Sequence, residues 1–327
     1  MVHIPTSIVW VSALGSISGA AYIIKSYSQG ELYTGDEKLT NKVVIVTGAN
    51  TGIGKEVAHD LAKRDAKVIM ACRDLNKCEQ AREEIVFNTK NKYVYCRECD
   101  LSSQESIRKF VTRFKQEHSN LHILINNAGV MRCPLTYTKE GIEMQIGVNH
   151  MGHFLLTNLL LDSIKKSAPA RIVTVTSLAH LRGKMNISDL NSDSKYDPGV
   201  AYAQSKLANV LFTVELSKRL KGTGVTANSV HPGIVDTEIT RHMAYINSKL
   251  SLIFLKPFLW PFIKTPKYGA QSVLYTALSP ELDNVSGKYI SNMAVSEASK
   301  VINRENVLSW LWKTSVLWTN LEETSTE

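Results

Sequence analysis

Cysteine is scarce in this sequence: there are five, at 72, 78, 96, 99 and 133, in 327 residues. The number is odd and the spacing is not that of a disulfide framework. Cys96 and Cys99 have metal or redox spacing, but no second pair or Cys/His cluster accompanies them, and they fall in a strand-like stretch. A zinc module is therefore excluded, no metal is expected, and a reduced compartment is the simpler expectation. Also missing are blocks of Lys and Arg interleaved with aromatics, zinc-finger spacing and any RNA-binding signature. Nucleic acid is thus the weakest partner for the net charge of +8, behind anionic lipid and a phosphorylated ligand. There is no internal repeat and no low-complexity segment. What remains is an ordinary globular composition, 44% hydrophobic and 21% charged, long enough for one large α/β domain or two small ones.

Charge is missing altogether from residues 4–24, "IPTSIVWVSALGSISGAAYII". That length can cross a bilayer as a helix. It is too long, and lacks the basic leader, for a typical cleaved signal peptide. Its serines and glycines keep it only moderately hydrophobic, so a helix lying in the interface is an alternative. Gly15 and Gly19 form a GxxxG pattern that lets two membrane helices approach, which leaves a homodimer open. We read 1–28 as an N-terminal membrane anchor and 29–41 as a polar linker.

Beyond the linker, apolar strands alternate with amphipathic helices. "KVVIVTG" (42–48) is apolar and β-branched throughout, as a strand buried on both faces should be. Further strands are expected at 66–72, 93–99, 121–126, 171–177, 224–230 and 287–291, with helix-length patterns between them. Ser102 and Ser103 before "QESIRKFVTRFKQ" are N-cap candidates. This alternation predicts a doubly wound Rossmann fold with a mainly seven-stranded parallel sheet and helices on both faces. The apolar "LSLIFLKPFLWPFIK" (250–264) contains Pro257 and Pro261 and cannot form one long regular helix. It falls where a substrate lid would sit, near 238–268.

Three features carry chemistry. The first strand runs into Gly48-Ala-Asn50-Thr51-Gly52-Ile53-Gly54, a turn that lets a diphosphate approach backbone at the start of the next helix. The second strand ends Cys72-Arg73-Asp74. An acid at its end would select NAD, whereas Arg73 there favours a 2′-phosphate and hence NADP(H); Asp74 is the discordant residue. Tyr202 and Lys206, four apart at the start of a helical stretch, share one face. The ammonium would lower the phenol's pKa toward the range of a general acid or base at neutral pH.

Taken in order, TGANTGIG (47–54), CDL (99–101), NNAG (126–129), VNHMGHF (148–154), VTS (175–177), YAQSK (202–206) and HPGIVDT (231–237) closely resemble the short-chain dehydrogenase/reductases, over about residues 40–295. Within that family the likeness is to the membrane-bound retinol dehydrogenases that act as NADP(H)-linked retinal reductases, especially the retinol dehydrogenase 13 type. "ACRD", "SKLANVLFT" and the N-terminal "SALGSISGAAYIIK" share in it. The resemblance implies that Tyr202 exchanges the proton with the carbonyl oxygen and Ser177 holds that oxygen. Lys206 would lower the Tyr202 pKa and bind the nicotinamide ribose. Asn149, in a helix interior where asparagine is a poor helix former, would hold a water linking Lys206 to solvent. Asp100 would bind the adenine amino group and Thr237 the carboxamide. Leu101, Asn127, Ala128, Gly129, Pro232 and Gly233 would line the cofactor cleft. His150, His153 and His231 are read as packing or hydrogen-bonding residues.

The expectation is a membrane-anchored NADP(H)-dependent oxidoreductase with its dehydrogenase domain at 42–295 and a C-terminal helical segment at 296–327. Its partners would be a lipophilic aldehyde or alcohol, all-trans-retinal and retinol foremost, and membrane lipid. Other lipid-derived or medium-chain aldehydes, steroids, and a non-catalytic NADP-binding scaffold are the alternatives. By resemblance the organelle is the mitochondrion, with the cytosolic face of the endoplasmic reticulum second.

Overall fold

The computed structural model describes residues 19–242 and 256–322. Most of the uncharged N-terminal run, including Gly15, and residues 243–255 of the expected lid lie outside the described residues.

Seven strands run parallel: β1 (Val43–Thr47), β2 (Lys67–Cys72), β3 (Val94–Glu98), β4 (Ile123–Asn126), β5 (Ala170–Val175), β6 (Val225–His231) and β7 (Tyr289–Ser291). An eighth, β8 (Ala294–Ser296), pairs antiparallel with β7, giving the order β3-β2-β1-β4-β5-β6-β7-β8. The extra strand corrects the seven-strand expectation. Its hairpin turns on Asn292 and Met293, both with positive φ. Met is an unfavourable residue there, so the usual Asn-Gly signal is absent. Every residue of β1 and of β6 is buried, as a sheet covered on both faces requires.

The helices are α1 (Gly52–Lys63), α2 (Leu75–Thr89), α3 (Gln104–Glu117), α4 (His153–Lys165), α5 (Pro198–Arg219), α6 (Pro266–Leu278) and α7 (Glu305–Trp318). One core lies between the sheet and α1, α2 and α6, around Val44, Val57, Leu61, Ile85 and Val273. The other lies beneath α3, α4 and α5, around Ile45, Phe110, Phe154, Leu156 and Phe212. α7 lies in the C-terminal segment, after a 3-10 turn at Lys300–Asn303. Its Trp312 packs on Phe154 at 5.0 Å and Phe212 at 6.0 Å between ring centroids. Ser103, rather than Ser102, caps α3 by accepting from Ser106 N.

The order reverses between β1 and β4, so their carboxyl ends open the crevice where a doubly wound sheet binds its ligand. Both chemical loops of the sequence, 48–54 and 127–130, leave from those two ends.

Residues 19–29 are helical. No described helix is long and apolar enough to cross a membrane. Lys25 Nζ donates to the carbonyls of Trp260 and Ile263, and Gln29 Oε1 accepts from Thr265 N at 3.0 Å. Around Pro257 and Pro261 the described lid residues form a short helix, Lys256–Leu259, and a 3-10 turn, Trp260–Phe262, in keeping with the two prolines; earlier in the lid, Glu238–His242 is a 3-10 turn.

Cys78 on α2 is disulfide-bonded to Cys96 on β3, with Cα atoms 5.9 Å apart; Cys72, Cys99 and Cys133 are free and buried. This corrects the expectation, drawn from their odd number and spacing, that the cysteines form no disulfide. The pairing joins a helix to the strand beneath it, a juxtaposition that sequence spacing does not reveal.

Candidate active site

The crevice is a cleft of about 1040 Å³. It is lined by Gly48, Asn50, Thr51, Gly52, Ile53 and Gly54 of the glycine turn. Arg73, Asp100, Leu101, Asn127, Ala128 and Gly129 also line it, as do Ser177, Tyr202, Lys206, Pro232, Gly233 and Thr237. All the expected site residues except Asn149 thus face one cavity.

At the glycine turn, Gly48 and Gly52 have φ of +63° and +56°, conformations that favour glycine. A Cβ on Gly54 would overlap Gly48 O and Asn127 Nδ2. Thr51, the N-cap of α1, makes no side-chain cap, and the first turn of α1 carries no acid. The helix therefore presents uncapped N–H groups and the positive end of its dipole to the cleft, which suits an anionic diphosphate. The turn thus suits a dinucleotide, whose diphosphate residues 48–54 would hold. The adenosine end would lie at the mouth of β2. Cys72 ends that strand and is buried, whereas Arg73 is exposed. Asp74 Oδ1 accepts from Lys77 N at 3.0 Å as the N-cap of α2, so the discordant acid has a structural task. Asp100 Oδ1 accepts from Ser102 N and Oγ at 2.9 and 2.7 Å, which holds its carboxylate at the cleft wall.

At the other end, Tyr202 and Lys206 lie in the first turns of α5, which Asp197 caps through Gly199 N and Val200 N. Lys206 is among the largest fully buried side chains, and burial lowers its pKa to about 8. Its Nζ donates to Val175 O at 3.1 Å and lies 5.9 Å from the Tyr202 ring centroid. Burial raises the Tyr202 pKa to about 12, with a hydrogen bond from Ser177 opposing the rise. The expected depression by Lys206 does not appear; desolvation, which disfavours the phenolate, sets the direction. At neutral pH the phenol keeps its proton. Ser177 follows β5, and its Oγ also accepts from Ala179 N at 3.2 Å.

Asn149 is not in an ordinary helix but in a π-helical turn, Gly147–Gly152, a form that recurs at functional sites. It stands behind the cleft wall, fully buried. Its Oδ1 accepts from Val130 N at 2.8 Å, while Nδ2 donates to Val130 O and Ser205 Oγ, both at 2.9 Å. It therefore pins the loop after β4. Gly129 in that loop leaves room for it: a Cβ there would lie 3.1 Å from Asn149 Oδ1 and 3.5 Å from Lys206 Nζ.

Four supports back these residues, and of these only His153 is expected from the sequence to pack or hydrogen-bond. Thr47 Oγ1 accepts from Asn127 N and Ala128 N at 2.9 and 3.0 Å. Thr176 Oγ1 donates to Lys206 O at 2.8 Å. His153 reaches both Thr47 and Asn149, and His180 Nδ1 lies 2.7 Å from Ser177 O. Thr47 and His153 belong to the TGANTGIG and VNHMGHF motifs, but nothing in their spacing shows that they meet. Among the described residues no group of His, Cys, Asp and Glu could hold a metal.

Comparison with known proteins follows the same lines. The model of the short chain dehydrogenase family matches residues 42–245. The chain is 48% identical over 316 residues to human retinol dehydrogenase 13, covering 96% of each chain. It is 49% identical over 292 residues to mouse retinol dehydrogenase 12, covering 89% of this chain and 90% of that protein. A crystal structure of an uncharacterized protein from Mycobacterium paratuberculosis superposes with a TM-score of 0.71 at 34% identity, covering 89% of this chain and 98% of that one. A Pseudomonas aeruginosa RhlG/NADP complex shares the fold at a TM-score of 0.62 and 24% identity, covering 78% of this chain and 95% of that one. The glycine turn, the Tyr202/Lys206 helix and these matches together place the chain in the short-chain dehydrogenase/reductase family of oxidoreductases, and within it among the proteins of the retinol dehydrogenase type.

Proposed function

We propose that the protein is an NADP(H)-dependent oxidoreductase that interconverts a lipophilic aldehyde and its alcohol, all-trans-retinal and retinol foremost. The observation that carries this reading is the pairing of a protonated, buried Tyr202 with Ser177 in one wall of the cleft whose far end is the uncapped turn 48–54. When bound, the nicotinamide supplies or accepts the hydride. Ser177 and Tyr202 hold the carbonyl oxygen, and Tyr202 gives it a proton in reduction. Lys206 lies close enough for its charge to favour the phenolate so formed. Asn149 and Gly129 keep the loop after β4 clear of Lys206. Arg73 is the group that would pair a 2′-phosphate, with Asp74 occupied at the N-cap. The names of the retinol dehydrogenase relatives and the apolar lid residues Leu259, Phe262 and Ile263 that line the cleft support a retinoid.

Membrane attachment is part of the proposal. The uncharged run 4–24 leads into the helix at 19–29, whose Tyr22, Ile23 and Tyr27 are exposed beside the exposed Phe258, Trp260 and Phe262 of the lid. Lys25 ties the two together. Such a surface suits membrane lipid. The organelle proposed from the resemblance is the mitochondrion, and the Cys78–Cys96 bond favours an oxidising compartment within it. The exposed sequons at Asn186 and Asn284 test this against the lumen of the endoplasmic reticulum: sugar on either would overturn the mitochondrial placement and the cytosolic face of the endoplasmic reticulum together.

The test is a turnover assay of the purified full chain with NADPH and NADH against all-trans-retinal, medium-chain aldehydes and steroid ketones. NADPH-linked reduction fastest for retinal is the expected result. No hydride transfer to any of them would favour the non-catalytic scaffold.

A further inference from the structure

His153 is the first residue of α4, immediately after the π-turn, and it is 1% exposed. Its backbone N–H goes to His150 O. Its ring has two partners: Nδ1 lies 3.0 Å from Asn149 O and Nε2 lies 2.9 Å from Thr47 Oγ1. A carbonyl oxygen can only accept, so Nδ1 must carry the proton. Desolvation lowers the ring's pKa to about 4, so at neutral pH it is uncharged. Nε2 then has a lone pair, and the Thr47 hydroxyl donates to it. Ile125 O also faces that hydroxyl, but at 3.4 Å it is the poorer acceptor. With its proton so directed, Thr47 Oγ1 keeps its lone pairs for Asn127 N and Ala128 N. The directions agree around the whole set only with this tautomer. The opposite one would set two lone pairs against each other at Asn149 O.

Three segments meet here. Thr47 is the residue before the glycine turn, Asn127 and Ala128 begin the loop after β4, and Asn149 clasps Val130 in that same loop. We propose that His153 is a positioning residue: a neutral imidazole locked in the Nδ1–H tautomer that fixes the cofactor-side loops relative to the π-turn behind Lys206. It touches neither cleft nor substrate and acts through Thr47 on one side and Asn149 on the other. The clearance is small, because a Cβ on Gly129 would already lie 3.5 Å from Lys206 Nζ. This inference rests on the hydride-transfer reading of the cleft.

Two variants divide the ring's roles. In His153→Asn the short amide can still serve Asn149 O but leaves the Thr47 hydroxyl without its acceptor. NADPH binding should weaken about tenfold, with little change in kcat at saturating cofactor, an effect of the size expected for one orphaned buried polar group. In His153→Gln the longer amide can serve Thr47 but not Asn149 O. There kcat should fall about tenfold while NADPH affinity stays within about twofold. Affinity is read by fluorescence titration and kcat by steady-state kinetics. Nitrogen-15 NMR of the labelled wild-type protein at pH 7 gives a readout independent of turnover: His153 should show a protonated Nδ1 and an unprotonated Nε2. An Nε2–H tautomer would overturn the proposal. So would equal loss of melting temperature in both variants with neither kinetic constant altered. Absence of wild-type turnover would sink the hydride-transfer reading while leaving the tautomer result standing on its own.

Discussion

At one end of the cleft Tyr202 and Lys206 are 8% and 2% exposed; at the other, Arg73, Asp74 and Lys77 stand in solvent. In the buried end, desolvation sets the protonation states: the phenol is held protonated and the ammonium is brought within reach of physiological pH. In the exposed end charge acts by its sign and position, with solvent screening it. On the proposed function, the same two kinds of group, a cation and an acidic partner, would therefore do different work, chemistry in one place and selection in the other. Changes at the buried end should strike turnover, and changes at the exposed end should strike the choice of cofactor.

The comparison is easiest to break at Tyr202. Tyr202→Phe keeps the ring, which packs, and removes the proton. Turnover should fall by about a hundredfold to ten-thousandfold, the range for loss of a general acid, while NADPH affinity changes little. Near-normal turnover would remove Tyr202 from the chemistry. Lys206 gives the pH dependence. Its folded pKa of about 8 means that its charge is present below pH 8 and lost above it. On the proposed mechanism, that charge would stabilise the phenolate left when Tyr202 gives up its proton. The kcat for reduction should be flat through neutrality and fall above pH 8, by about tenfold per unit at the limit. A rate that rises through this window would contradict the assignment.

Arg73 carries the matching test at the exposed end. Arg73→Ala should weaken NADPH binding by about 1.5 kcal/mol, the low end for a charged hydrogen bond because the site is wet. NADH should be nearly unaffected. Equal losses for both cofactors would show that Arg73 plays no part in selection.

Legibility followed local geometry, not which end of the cleft a residue occupies. The glycine turn, Arg73, Ser177 and the Tyr202/Lys206 pair can be read from the chain because each rests on local geometry: a turn, a strand end, one helical face. The parallel sheet follows from its apolar runs for the same reason. What escaped depends on segments distant in sequence. The Cys78–Cys96 bond needs α2 laid on β3, and the hold of Lys25 on the Trp260 and Ile263 carbonyls spans more than 230 residues. The Thr47–His153–Asn149 set joins β1 to the start of α4. The sign of the Tyr202 shift also escaped, because spacing shows which charge is near but not how much water has been removed.

The smallest expected effect is at Asp74, and it tests the residue that made cofactor choice ambiguous. Its carboxylate accepts from Lys77 N at 3.0 Å and caps α2. If capping is its task, Asp74→Ala should cost about 1 kcal/mol of stability, and Asp74→Ser, which can still cap, should recover most of it. Neither should impair NADH, since no ribose contact is lost. Removing a negative charge near Arg73 should improve NADPH binding by no more than about twofold, because the site is exposed and screened. Thermal melts and the ratio of kcat/KM for the two cofactors read both effects. A large loss of NADH activity in the serine variant would mean that Asp74 holds the ribose, and the selectivity now assigned to Arg73 would have to be given up.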